Sequence, residues 1–316
     1  MIIDAHCHLW QRDMIPEKYW WSNASMIARM VPGSPSPETI LQSQVMQRSM
    51  NGSSALLLAE MEEAGIDKAI VFGVDWGLAL GEPKIQIHDF NKFVADAAKE
   101  YPDKFIPFFT IDPRRPNASQ ELEMALTTWE MKGLKLHPST GYLPDSEECY
   151  ELYKIADQYQ VPIITHTGYI IGLKGRTARP EYFDGPTTDF PNIRLSFAHL
   201  NFGGIDELIG MMFMKPNAYC DISAHGQILI MNSPSDLYRQ LRFVMNHEGC
   251  SNRVMFGSDW PTTSNIMPLS KWVETIKNLQ GEKVSNLMEN WGYKRFRNKE
   301  IDQILGKNAV NFLNMR

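Results

Sequence analysis

Short apolar runs alternate with amphipathic segments along most of the chain. Eight runs are bounded by glycine, proline or polar residues and are mostly rich in branched or aromatic side chains, a pattern that predicts strands. In the first run polar residues alternate with apolar ones, which is typical of a strand with two unlike faces. The eight predicted strands are residues 2–8, 68–73, 104–111, 133–137, 161–166, 194–199, 218–222 and 253–257.

Between the strands, apolar positions recur with the spacing of an α-helix. The predicted helices are residues 56–65, 90–101, 118–132, 146–159, 205–214 and 237–247, followed by an interrupted helical tail from residue 269 that ends in residues 301–312. Strands that alternate with helices pair in parallel through crossover helices. Eight such units predict an α/β fold, a single (β/α)8 barrel of the TIM type over residues 1–316. An open Rossmann sheet is less favoured, because the sequence lacks its glycine-rich turn.

Residues 10–54 interrupt this alternation. They contain several prolines and the aromatic trio Tyr19, Trp20 and Trp21, and they show no clear strand pattern. Structureless loops of such length inside a compact domain are usually functional or wrongly assigned. Ser36 as a cap and Pro37 at the first helical position predict a helix within the segment. We therefore expect a partly helical insertion that covers the end of the first strand, although a surface excursion without contact to any site explains any single residue in it almost as well.

The composition places limits on partners and location. The net charge of −6 and the lack of any lysine- or arginine-rich run argue against a general affinity for nucleic acid or anionic membranes. No apolar run approaches the roughly 18 residues of a transmembrane helix, and the N-terminus shows no signal-like segment. The four cysteines are widely separated, which favours reduced thiols in the cytoplasm. We expect a cytoplasmic homodimer that acts on a small molecule.

Polar residues follow the carboxyl ends of several predicted strands, where barrel enzymes build their active sites. His6 and His8 are two positions apart on one strand, so their rings point the same way. Together with His166 and Asp259 they supply three nitrogens and one carboxylate, a set suited to zinc or a similar divalent ion that activates water. His199 is then placed to hold that water as a base or an orienting acid. Each residue alone is more often structural, but the five together are hard to explain that way.

The motifs that contain these residues resemble those of a known family. Asp4-Ala-His6-Cys-His8, Thr-His166-Thr-Gly, Ala-His199-Leu and Phe-Gly-Ser-Asp259-Trp-Pro are similar to the metal-site motifs of the amidohydrolase superfamily, in the amidohydrolase-related branch that includes aminocarboxymuconate-semialdehyde decarboxylase. The resemblance implies that the two histidines of the first motif, His166 and Asp259 bind the metal. It also implies that His199 acts on the water or the substrate, and that Asp259 carries a proton as well.

The resemblance raises the question of metal count at Lys135. In binuclear superfamily members a carboxylated lysine at the end of strand four bridges two metals, and Lys135 stands in about that place. In single-metal relatives such a lysine can instead bind an anionic group of the substrate. We expect one ion, zinc or alternatively manganese, with Lys135 and His137 contacting the substrate. The alternative, that Lys135 forms a structural salt bridge inside the barrel mouth, is about equally consistent with the sequence.

Other substrate contacts are predicted from residue type alone. Arg176 and Arg179 follow the fifth predicted strand and could clamp a carboxylate with their planar guanidinium groups, although charge on a loop is more often exposed. Trp260, next to Asp259, could form part of an aromatic wall over a planar substrate, or could belong to the core.

Three functions remain open from the sequence. The first is a metal-dependent hydrolase of a lactone, ester or amide, and the second is a metal-dependent, non-oxidative decarboxylase of an aromatic or enol-type acid. The intact histidine pair favours hydrolysis slightly, because some decarboxylating relatives replace its first histidine by glutamate. An inactive barrel that serves as a binding protein is the third, and the complete ligand set argues against it.

Overall fold

The computed structural model describes residues 1–315, in which parallel strands alternate with helices. The strands are β1 (Ile3–His8), β2 (Trp10–Gln11), β3 (Asn51–Gly52), β4 (Lys68–Phe72), β5 (Phe105–Pro107), β6 (Phe109–Thr110), β7 (Leu134–Leu136), β8 (Ile163–Thr165), β9 (Leu195–Phe197), β10 (Ala218–Asp221) and β11 (Val254–Met255). The α-helices are Glu17–Met30, Pro37–Leu41, Gln44–Ser49, Ser54–Ala64, Gly77–Leu80, Ile87–Glu100, Ala118–Thr127, Glu147–Gln158, Asp184–Asp189, Ile205–Met214, His225–Asn232, Pro234–Asn246, Leu269–Lys277, Glu282–Asn290, Asn298–Asp302 and Asn308–Leu313.

The parallel strands form a closed barrel. β5 and β6 are two parts of one strand, of which the first pairs with β4 and the second with β7, and the remaining strands follow in the order β8, β9, β10 and β11. The ring closes between β11 and β1, where Ala5 N–H donates to the Phe256 carbonyl at 2.9 Å and Asp259 N–H donates to the His6 carbonyl at 2.8 Å. With β5 and β6 counted as one, eight strands surround the axis. The predicted (β/α)8 barrel is confirmed.

The insertion after β1 is partly helical, as predicted. β2 and β3 pair in antiparallel fashion and bring its two ends together. Ser36 caps the helix Pro37–Leu41, and its hydroxyl accepts from Thr39 N–H at 3.3 Å. The insertion is fastened to the loop after β11, because Arg48 donates to Ser264 Oγ at 3.1 Å and Asn265 donates to the Val45 carbonyl at 2.9 Å.

The floor of the barrel is apolar. Buried side chains from five of the eight strands form one cluster with two residues of the C-terminal helix. Side chains from so many strands can meet only inside the barrel. The members of the cluster are Ile3, Ala5, Ile70, Phe72, Phe108, Ile164, Met255, Ala309 and Phe312. The carboxyl ends of the strands are left for polar side chains. In the part of the chain that the structure describes, no helix is long and apolar enough to cross a membrane. The four cysteines are free and buried.

Candidate metal centre

Three of the four predicted ligands converge at the mouth of the barrel. His6 Nε2 lies 3.4 Å and His8 Nε2 3.1 Å from Asp259 Oδ1, and the three side chains can present ligand atoms that all lie within 4.8 Å of one another. All three side chains are buried. Two imidazole nitrogens and a carboxylate oxygen form a donor set that zinc and related divalent ions prefer.

His166 stands beside this group rather than within it. Its Nδ1 lies 3.2 Å from His199 Nε2, and the two ring centroids are 5.0 Å apart. His199 in turn forms a second possible ligand group with His6 and Asp221. The His166 Nε2 atom is buried and has no hydrogen-bond partner among residues 1–315. A buried, unpaired ring nitrogen of this kind is costly unless something binds it. Because His8, His137 and His225 each have such a nitrogen as well, the role of His166 as fourth ligand stays a prediction.

Lys135 lies inside the barrel mouth, next to the ligands. Its Nζ is 3.2 Å from His6 Nε2 and 4.6 Å from the centre of the Phe72 ring. Burial lowers the pKa of Lys135 to about 8, although the carboxylates of Asp221 and Asp259 oppose the change. No carboxylate of the described chain lies within ion-pair distance of Lys135. The geometry therefore favours a lysine that lines the site over one that is salt-bridged.

His137 and Trp260 also adjoin the site, in different ways. The His137 ring stacks on His166 with a centroid distance of 4.2 Å, and the edge of Trp76 meets it at 5.2 Å. The Trp260 ring is buried among apolar residues, and its backbone N–H donates to Ser258 Oγ at 3.1 Å. His137 thus belongs to the wall of the site, whereas Trp260 supports the loop that positions Asp259. Their contacts with a substrate stay predictions.

The structure does not bring the two loop arginines to this cluster. Arg179 is half exposed, and its guanidinium lies 2.8 Å from Glu207 and 3.5 Å from Glu181. Arg176 is exposed on a short 3-10 helix, Gly175–Thr177. The two contacts of Arg179 do not support the predicted carboxylate clamp, because Glu207 and Glu181 already balance its charge at the surface. A role for either residue in substrate binding therefore stays a prediction.

Asp221, the last residue of β10, was not among the predicted site residues. Its Oδ2 lies 3.0 Å from His6 Nδ1, while its Oδ1 accepts from the backbone N–H groups of His199 at 3.2 Å and Ser223 at 3.0 Å. Burial raises the pKa of Asp221, but the interactions with His6, His199 and Ser223 outweigh it and hold the pKa below its usual range. The available signal was a carboxylate at the carboxyl end of an apolar strand.

The backbone is strained where the strands meet the site. Five residues other than glycine that follow β9, β10 and β11 have φ between 49° and 62°: His199, Leu200, Asn201, Ala224 and Asp259. Such conformations cost on the order of 1–3 kcal/mol each and persist only where the surrounding structure enforces them. Their concentration around the histidines supports this end of the barrel as a functional site.

Comparison with known proteins identifies the family of the chain. A family model described as Amidohydrolase matches residues 3–315. The chain belongs to this family. A search of curated proteins found no match.

Several solved structures resemble this amidohydrolase over nearly its whole length. They include 5-carboxyvanillate decarboxylase from Novosphingobium aromaticivorans in complex with manganese, with a TM-score of 0.66 and 15% identity over 100% of this chain and 96% of that chain. A probable 2-pyrone-4,6-dicarboxylic acid hydrolase from Acinetobacter baumannii has a TM-score of 0.64 and 11% identity over 99% of each chain. An amidohydrolase from Burkholderia multivorans with bound zinc has a TM-score of 0.66 and 13% identity over 100% of each chain. At these identities the likeness shows the fold, and it spans both hydrolases and decarboxylases.

The protonation states in this amidohydrolase suit a divalent cation. Burial lowers the pKa of His6 to about 3, with help from the Lys135 ammonium, and burial also lowers the pKa of His8. Burial opposes the ionisation of Asp259, but the His8 hydrogen bond and the neighbouring rings hold its pKa below the usual range. Neutral imidazoles and an ionised carboxylate are the forms that bind metal. The residues of the site therefore fit a metal ion.

Proposed function

We propose that this amidohydrolase is a metal-dependent hydrolase that cleaves a lactone, ester or amide of a small, carboxylated substrate. The observation that supports it best is the convergence of His6, His8 and Asp259 on one point. His166 lies beside His199, and its buried Nε2 has no partner among residues 1–315. His6, His8, His166 and Asp259 would hold one ion, zinc being the first expectation and manganese the alternative. Such an ion polarises a carbonyl group and activates water when it is bound.

The side chains around the ligands supply the rest of the chemistry. Asp259 is ionised, so its carboxylate can take up the proton of an attacking water. His199, held through Nδ1 by Ser223 Oγ at 2.8 Å, can exchange a proton with the leaving group. The buried ammonium of Lys135 is free of ion pairs within residues 1–315, and it can pair with a substrate carboxylate.

Decarboxylation is the second candidate, and the burial of the site favours it. The histidines, Lys135 and Asp259 are at most 8% exposed, so a substrate carboxylate would leave water on entry. Loss of hydration raises the energy of a concentrated negative charge, which disperses as carbon dioxide departs. A hydrolase and a decarboxylase can share the same ligands, so product analysis has to separate the two.

Metal content tests the assignment of the ligands. We expect His6→Ala and Asp259→Asn to lose the bound ion and activity together, because each removes one donor from a small set. His199→Ala should keep the ion and lose activity. The matched control is His88→Ala, since His88 is an exposed helical histidine that pairs with Glu121, and it should retain both. Elemental analysis after dialysis measures the outcome, and a fully loaded His6→Ala protein would contradict the proposal.

A substrate panel separates the two reactions. Lactones, esters and amides of dicarboxylic acids report hydrolysis by acid release, and hydroxybenzoates report decarboxylation by release of carbon dioxide. Carbon dioxide from the hydroxybenzoates without hydrolysis of any other compound would favour the second candidate. A wild-type protein that binds neither zinc nor manganese would instead support an inactive barrel.

A further inference from the structure

One buried carboxylate, that of Asp221, is joined by hydrogen bonds to both sides of the candidate metal centre. On one side its Oδ2 lies 3.0 Å from His6 Nδ1. On the other side its Oδ1 accepts from the backbone N–H groups of His199 and Ser223 and from the Ser223 hydroxyl. The Ser223 oxygen contacts His199 Nδ1, and His199 Nε2 contacts His166 Nδ1. Asp221 thus begins two chains of hydrogen bonds that end on two different histidines.

The first chain determines which nitrogen of His6 carries the proton. A carboxylate can only accept hydrogen bonds, so His6 Nδ1 must be protonated to donate to Asp221. His6 Nε2 is then a lone pair. A second contact requires the same state, because the Lys135 ammonium is only a donor and its Nζ lies 3.2 Å from His6 Nε2.

The second chain gives the same result at His166. The Ser223 hydroxyl has one proton, which it donates to Asp221, so its oxygen accepts from His199 Nδ1. The Ser223 carbonyl, which is also only an acceptor, lies 3.3 Å from that nitrogen. In a neutral His199 ring, Nε2 is therefore the lone pair, and it accepts from His166 Nδ1 at 3.2 Å. The remaining nitrogen, His166 Nε2, is the buried atom without a partner, and it too is a lone pair.

We propose that Asp221 is a positioning residue that fixes the tautomer of His6 directly and, together with Ser223, supports that of His166, so that both Nε2 atoms carry lone pairs available to a metal ion. The assignment of the tautomers rests on the hydrogen bonds alone, whereas their use for metal binding rests on the function proposed above. Partners that orient a ligating histidine through its other nitrogen raise its basicity and hold its ring. Here the Asp221 carboxylate contacts His6 directly, and it accepts from the Ser223 hydroxyl whose oxygen contacts His199.

Nitrogen-15 NMR of the metal-free protein tests the tautomers directly, because protonated and unprotonated ring nitrogens have distinct shifts. After chelator treatment of the wild type, we expect His6, His166 and His199 to be protonated at Nδ1 and unprotonated at Nε2. Each resonance is assigned by its loss in the corresponding alanine variant. An Nε2-protonated His6 or His166 in the wild type would overturn the proposal, and this result requires no folded variant of Asp221.

Asp221→Asn changes the chemistry with little change in shape. The two backbone donors at Oδ1 retain the amide oxygen there, so the amide NH2 group faces His6 Nδ1 and forces the proton of His6 onto Nε2. We expect metal affinity, measured by chelator competition, to fall by about 10- to 100-fold. The control Asp236→Asn alters an exposed carboxylate that pairs with Arg239. It should change neither the metal affinity nor the tautomers seen by NMR.

Ser223→Ala sharpens the test, because the Ser223 carbonyl still accepts from His199 Nδ1. We expect His199 and His166 to keep their tautomers in this variant. An Asp221→Asn protein with wild-type tautomers and wild-type affinity would refute the role of Asp221. Wild-type protein with the expected tautomers but no affinity for zinc or manganese would refute the proposed function instead and leave the tautomer assignment intact.

Discussion

The buried ammonium of Lys135 should reduce the stability of the metal-free protein, and its removal should show by how much. Lys135→Met replaces the side chain by one of similar length without charge. Burial lowers the pKa of Lys135 from 10.5 to about 8, which means that the folded protein disfavours the charged form. At about 1.4 kcal/mol per pKa unit, the charged lysine costs the fold about 3 kcal/mol.

The cost has a defined pH range. Below pH 8 the lysine is charged in both the folded and the unfolded chain, so the whole penalty applies. Between pH 8 and 10.5 the unfolded chain binds more protons than the folded one, and the stability of the wild type rises with pH. At pH 7 we therefore expect Lys135→Met to raise the free energy of unfolding by about 3 kcal/mol, and this gain should disappear as the pH approaches 10.5.

Urea unfolding of both chelator-treated proteins, at pH values from 7 to 10.5, measures the difference. The matched control is Lys154→Met, because Lys154 is exposed on the helix Glu147–Gln158 and pairs only with Glu151. The difference between the control and the wild type should stay near zero at every pH. A Lys135→Met protein that is no more stable than the wild type at pH 7, or a gain that persists at pH 10.5, would refute the reasoning. If Lys135 binds a substrate carboxylate, the stabilised variant should also bind substrate more weakly.

Two further predictions concern the support of the barrel and of the site. Burial opposes the ionisation of Glu300, but its hydrogen bonds from Arg242 and Arg297 outweigh this effect and lower the pKa to about 2. Because Glu300→Gln leaves the buried charge of Arg242 without an opposite charge, we expect a loss of about 3–5 kcal/mol in urea unfolding at pH 7. The loss should shrink as the pH falls from 4.5 towards 2, and a loss independent of pH would contradict this. An added Cβ at Gly257 would lie 3.1 Å from His6 Cβ and 3.2 Å from Ser223 Cβ, so Gly257→Ala should weaken metal binding in chelator competition and cost about 1–3 kcal/mol. The control Gly210→Ala adds a Cβ that meets nothing within 4 Å on a helix and should stabilise the protein by about 0.5–1 kcal/mol.

The strands could be predicted, and the candidate ligands located, because both depend on local patterns. A buried parallel strand needs an apolar run, and the ligands follow directly after such runs. The arginine contacts could not be predicted in this way. Arg179 pairs with Glu207, which lies 28 residues further along the chain, and no spacing near Arg179 indicates that partner. Whether a loop arginine faces the site or the solvent depends on such distant charges.

The ends of the strands were harder to predict for a different reason. The fifth and sixth predicted strands ran to residues 166 and 199, whereas β8 ends at Thr165 and β9 at Phe197. The residue at position 199 has a φ of 62°, which no strand adopts and which residues other than glycine rarely adopt. The apolar pattern gives no sign of this turn, because the contacts that accompany it are to Asp221, at the end of β10, and to Ser223, just after it.

The most consequential feature that the pattern misses is a bulge in β1. Asp4 pairs with Ala69 and Cys7 with Val71, so β1 has one more residue than β4 between these points. In a regular strand, successive side chains point to opposite faces. Because Ile3 and Ala5 lie in the apolar floor, His6 would then point away from the barrel interior if the extra residue were absent. The Asp4 carboxylate stabilises the irregularity by accepting the backbone N–H of His6 at 3.1 Å and of Ser258 at 3.0 Å. The same strand can therefore fill the floor and bring two candidate ligands to the mouth, and the Asp4 carboxylate stabilises this arrangement.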